Sequence, residues 1–78
     1  MTRPISVIAY DIRAAWPKVN FAAKPYLDAM TCLDRITDSY YADDARSVVL
    51  YFLSNASSFR GEEAKALKAE LKAILATV

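Results

Sequence analysis

Residues 45–56, Ala45-Arg46-Ser47-Val48-Val49-Leu50-Tyr51-Phe52-Leu53-Ser54-Asn55-Ala56, constrain the fold most, because no other segment of the 78 residues is apolar enough to centre a core this small. The Val48–Leu53 run could be written as a buried strand. No Gly or Pro bounds it, however, Asp43 and Asp44 precede it as N-cap candidates, and apolar residues continue to Phe59, so the pattern reads as a helix. At 3.6 residues per turn, Ala45, Val48, Val49, Phe52, Leu53, Ala56 and Phe59 form one stripe, with Arg46, Ser47, Ser54, Ser57 and Ser58 opposite. Leu50 and Tyr51 break the pattern by falling on or beside the polar side.

The remaining segments must pack around that helix. Ser6 is placed as the N-cap of a first helix, with Ile5 and Tyr10 spaced as a hydrophobic staple. Ile5, Ile8, Ala9, Ile12, Ala15 and Trp16 recur at helical spacing until Pro17 restricts Trp16 and ends the run. A connector follows, from which Phe21 is expected to tuck under the core. Pro25 suits the first turn of a second helix, whose inward stripe is Tyr26, Ala29, Met30, Leu33 and Ile36. Cys32, on its flank, is expected to be a small buried hydrophobe. Residues 37–44 read as a polar loop carrying Tyr40 and Tyr41, which either cover the core or meet a partner. Gly61, the one glycine, supplies a break by taking positive φ or acting as an N-cap. In the last helix Glu62 and Glu63 favour the first turn, and Ala64, Leu67, Leu71, Ile74 and Val78 make a short coiled-coil-like seam for this core or a second chain.

The expected fold is all-α: a compact four-helix single domain over 1–78, with helices near 6–16, 25–36, 44–58 and 62–76 and Trp16, Met30, Leu33, Val49, Phe52 and Leu71 in the core. A chain this short buries only about 60% of its unfolded surface. With 55% hydrophobic residues it holds more apolar surface than one small core absorbs, which points to self-association or a partner.

The chemistry of the side chains narrows function by exclusion. The chain has no histidine, which removes Ser-His-Asp and Cys-His sites and most zinc sites. One glycine cannot build a phosphate-cradling loop, and the acidic loop lacks the ladder, turn glycine and closing Glu of an EF-hand. The paired acids at Asp43-Asp44 and Glu62-Glu63 sit where helices begin, so capping accounts for them. No enzymatic activity, cofactor or metal is expected. Neither a membrane span nor a secretory apolar segment is visible, and the lone Cys32 suits the cytoplasm.

Charge is uneven although the net value is +1: Asp28, Asp34, Asp38, Asp43 and Asp44 face only Arg35 across 28–44. Lys65, Lys68 and Lys72 share one face of the last helix. Nucleic acid is nevertheless not the expected partner, because Glu62 and Glu63 would lead a recognition helix with the wrong sign.

Ile5-Ser6-x-Ile8-Ala9 and Trp16, Phe21-Ala22-Ala23-x-Pro25-Tyr26-Leu27-Asp28-Ala29-Met30, Leu50-Tyr51-Phe52-Leu53-Ser54-Asn55-Ala56, Arg60-Gly61-Glu62-x-Ala64 and Lys68-Ala69-Glu70-Leu71-Lys72 carry a resemblance across nearly the whole chain. In these segments it resembles small uncharacterised helical proteins encoded by phages and prophages of Gram-positive bacteria. The resemblance brings no active site and implies a phage context, in which small accessory proteins often bind and disable a host protein, anti-CRISPR proteins among them. The expected function is therefore non-enzymatic inhibition of a bacterial host protein, such as a CRISPR effector or another nucleic-acid-binding protein. The expected partner-binding residues are Tyr40, Tyr41, Leu50 and Tyr51 as anchors and Asp34, Asp38, Asp43 and Asp44 as steering charges. Leu50 with Tyr51 could also seed a homodimer. The alternatives are a small DNA-binding regulator using the last helix and a self-assembling structural phage protein.

Overall fold

A computed structural model of the protein describes residues 3–40 and 43–76, the side chains of Ser39, Tyr40 and Asp43 excepted. The order is α1 (Ile5–Ala15), α2 (Lys24–Met30), β1 (Ser39–Tyr40), β2 (Asp43–Asp44), α3 (Ala45–Ser54) and α4 (Glu62–Ala76). The helices pack as a closed ring, α1 on α2, α2 on α3, α3 on α4 and α4 back on α1. The all-α four-helix fold holds, with one addition: β1 and β2 form a short antiparallel ladder in which Ser39 faces Asp44 and Tyr40 faces Asp43. Among the described residues no helix is long and apolar enough to cross a membrane.

Phe52 is fully buried at the centre, with Met30, Leu33, Val49 and Leu71 equally enclosed and Trp16 nearly so. The Trp16 ring stacks on Phe59 at 5.0 Å between centroids and meets Phe52 edge-on at 6.3 Å, tying the end of α1 to the chain beyond α3. Ala64, Leu67, Leu71 and Ile74 are all buried in this core, so the seam of α4 faces its own domain. Val78 lies outside the described residues.

Six local expectations are corrected. Pro4, with φ already near the helical value at −56°, stands at the N-cap, and α1 therefore starts at Ile5. Its first N–H groups use other acceptors: Ile5 N–H donates to the Asp34 carbonyl, and the Ser6 hydroxyl, freed from capping, donates to the Asp34 carboxylate at 2.6 Å. With Ile5 buried and Tyr10 exposed, no staple closes.

α2 ends six residues before the expected Ile36. Thr31 turns its hydroxyl back onto the Asp28 carbonyl at 2.6 Å, and Asp38 accepts the N–H groups of Asp34 and Arg35 at 3.1 and 2.9 Å. Short polar side chains thus offer the backbone a non-helical set of partners. Leu33 and Ile36 still reach the core from turns, while Cys32 rotates to an exposed position.

α3 begins as expected, with the Asp44 carboxylate accepting the Ser47 N–H at 2.7 Å. It stops at Ser54, earlier than expected. The Ser54 hydroxyl and the Asn55 amide donate to the carbonyls of Leu50 and Tyr51, and Ala56 and Phe59 reach the core through the following turns.

Phe21 is the largest departure: it is 95% exposed. Asn20 holds the connector from both sides, its side-chain oxygen accepting the Ala23 N–H and its amide donating to the Asn55 carbonyl at 2.7 Å and the Ser58 hydroxyl at 3.3 Å. Those bonds fix the connector on the 55–58 turn and leave the Phe21 ring in solvent. Gly61 behaves as read, at φ 113°, with its carbonyl accepting the first helical N–H from Lys65.

Candidate functional site

The exposed apolar side chains fall at particular places on this frame. Leu50 and Tyr51 project from α3 with 45% and 53% of their surface open, as the helical pattern predicts. Tyr26, from the facing α2, lies 5.5 Å from Tyr51 between ring centroids at a tilt of 36°, so the α2–α3 seam presents two contacting phenol rings beside a leucine. Tyr26 entered the sequence reading only as a core residue, and its partial burial lets it serve both sides. Sequence reasoning missed Phe21 and Tyr10 as exposed groups. Tyr10 belongs to α1, with the Arg13 guanidinium 5.9 Å from its ring centroid. No local signal marked Phe21, because its exposure depends on the long-range bonds of Asn20.

The other proposed anchors are not brought to this seam by anything described. Tyr40 pairs through its backbone with Asp43, and its side chain, like Tyr41 as a whole, lies outside the described residues. The same holds for the Asp43 carboxylate.

The acidic residues serve the fold locally. Asp34 accepts from Ser6, Asp38 from two backbone N–H groups, Asp44 from Ser47, and Asp28 pairs with Arg13 at 2.6 Å. The backbone N–H of Arg35, then that of Asp34, lowers the Asp38 pKa from its usual 3.8. The Ser47 N–H, then its hydroxyl, does the same for Asp44. These two carboxylates are thereby held charged while one oxygen of each is occupied.

Positive charge gathers at the opposite end of α3. Lys68 donates to the Ala56 carbonyl at 2.6 Å with its ammonium 5.7 Å from the Phe59 ring centroid, and Arg60 donates to the Ser57 carbonyl at 3.2 Å. Burial, followed by the like charges of Lys72 and Arg60, lowers the Lys68 pKa. Arg3, by contrast, is bonded to Glu70 through two nitrogens and to Asp11 at 2.6 Å.

Among the described residues no three His, Cys, Asp or Glu side chains converge as a metal site. What the surface offers is contact area and charge, in three separate regions: a phenol-leucine seam, an acidic end and a basic end. Compared with known proteins, the chain matches no family model, no curated protein and no solved structure.

Proposed function

We propose that the protein is a non-enzymatic accessory factor of phage origin that binds and inhibits a protein of its bacterial host, acting in the cytoplasm. The observation that carries this reading is the α2–α3 seam. Leu50 and Tyr51 stay half exposed although the core is complete without them, and Tyr51 is braced against Tyr26. Tyrosines held in place by a neighbour offer large contact area at small entropic cost, which is the character of interface anchors.

The acidic end supports a target with a basic surface. Hydrogen bonding occupies one oxygen each of Asp34, Asp38 and Asp44, and a bond from a neutral donor removes no charge, so their field still steers association. A nucleic-acid channel is such a surface, and a CRISPR effector is one protein that carries it. The resemblance of the sequence to phage proteins points the same way.

The test is capture from host lysate with the wild-type protein and with a Leu50→Asp, Tyr51→Ala double variant, followed by assay of the captured protein's own activity. The wild type should retain one target and depress its activity, and the variant should lose both effects while melting at the same temperature. Equal capture by the variant, or a target whose activity is untouched, would overturn the reading.

A further inference from the structure

The α2–α3 seam leaves unexplained the opposite end of α3, where the most exposed aromatic ring among the described residues and most of the positive charge meet. Residues 17–24 and 55–72 hold six of the ten cations: Lys18, Lys24, Arg60, Lys65, Lys68 and Lys72. These two segments adjoin in the fold. Asn20 bonds to Asn55 and Ser58, Trp16 stacks on Phe59, and Lys68 reaches Ala56 and stands over the same Phe59 ring. Among the described residues no carboxylate pairs with any of the six. The acids within these segments are Glu62, Glu63 and Glu70, and Arg3 already holds Glu70.

On α4, at about 100° per residue, Lys65, Lys68 and Lys72 fall within about 60° of one another, with Glu63 and Glu70 roughly on the far side. From Lys65 to Lys72 the helix rises about 10 Å, so the three ammonium groups can follow a strand's backbone over more than one phosphate. The flank of α4 therefore differs from a recognition helix led by its N-terminus: Glu63 points away from it, and Glu62 borders it only at the Lys65 end, leaving Lys68 and Lys72 clear. Burial and then the neighbouring charges of Lys72 and Arg60 bear on Lys68, and a bound anion would offset that like-charge repulsion. Phe21 then adds what a simple polyanion site lacks, an open ring for an unpaired base to stack on.

We propose that Phe21 and the basic flank of α4, joined through the Asn20 bonds to the 55–58 turn, form a binding surface for single-stranded nucleic acid, with the lysines on phosphates and the Phe21 ring on a base. The surface is separate from the α2–α3 seam and does not depend on it.

The test is fluorescence anisotropy of a labelled oligothymidine of about twenty nucleotides, titrated at several salt concentrations. Binding should weaken steeply with salt. Lys65→Gln with Lys72→Gln should flatten the slope of log affinity against log salt by roughly 1.4, or about 0.7 for each lost phosphate contact. Phe21→Ala should weaken binding about fivefold or more with the slope unchanged, since a stacked base contributes on that order. Melting curves should show all three proteins folded alike, and Leu50→Asp with Tyr51→Ala should bind as wild type does. Absence of binding at low salt, indifference to Phe21→Ala, or equally tight binding of duplex DNA, polyglutamate or anionic vesicles would overturn the proposal.

Discussion

The stretch 28–44 sets five aspartates against Arg35, the stretch 55–72 sets four cations against three glutamates, and the structure treats the aspartates of the first and the cations of the second differently. Every aspartate of the first whose side chain is described has a partner within the fold: Arg13 for Asp28, Ser6 for Asp34, backbone N–H groups for Asp38 and Asp44. In the second, Lys68 finds a carbonyl and the Phe59 ring, Arg60 finds a carbonyl, and among the described residues no carboxylate pairs with Lys65 or Lys72. The difference comes from side-chain reach and donor type. A short carboxylate can turn back onto N–H groups left free at a helix start or turn, whereas a lysine carries only donors and finds acceptors chiefly where carbonyls are spare. A charged side chain counted in a sequence is thus not always one free to contact a partner, although its field persists.

The comparison requires that both ends rest on one core, and Phe52 tests that first. Phe52→Ala should cost about 3–5 kcal/mol, because it empties a fully buried site that Trp16 also contacts. A urea melt losing less than 1 kcal/mol would show that the two ends are held independently. Gly61→Ala comes next, at about 1–2 kcal/mol. A Cβ there would meet nothing within 4 Å, so the cost is backbone strain at φ 113° and falls on the basic end. Denaturant melts indistinguishable from wild type would mean the turn relaxes without penalty.

Acid should separate the two ends by sign. Asp38 and Asp44 have pKa values lowered from 3.8 in the folded protein, so their stabilisation is fully present above that value and is lost as pH falls through the lower folded one. Thermal melts across this acidic range should drop for the wild type and drop less for Asp38→Asn with Asp44→Asn. At the small end, Lys72→Gln should change stability by no more than about 0.5 kcal/mol, since no described carboxylate depends on it. Cys32, exposed beside the acidic end, should react with a thiol reagent in the native protein at nearly the rate of the unfolded chain. Protection would place it back among the buried residues.

The sequence made legible whatever depends on near neighbours. Periodicity located α1, α3 and α4, the Asp44 cap and the outward Leu50 and Tyr51, because each follows from spacing within a few residues. It overextended α2 because Leu33 and Ile36 sit at helical intervals and are buried or partly buried, yet they arrive there through turns held by Asp38. Phe21 was illegible for a different reason. An apolar connector residue defaults to the interior, and only the bonds of Asn20 to residues 35 and 38 positions away turn it outward. The same distance effect concealed the basic surface, whose two segments are far apart in the chain.

The most direct measurement of the contrast between carboxylates tied into the fold and cations left outside it is a paired thermal melt at neutral pH of Asp38→Asn with Asp44→Asn against Lys65→Gln with Lys72→Gln. Each pair removes two charges of one sign, so net charge moves by the same amount in both. The aspartate pair should melt well below wild type, because two backbone-anchoring carboxylates are weakened, and the lysine pair should melt with the wild type. Equal losses, or a larger loss from the lysine pair, would contradict the account.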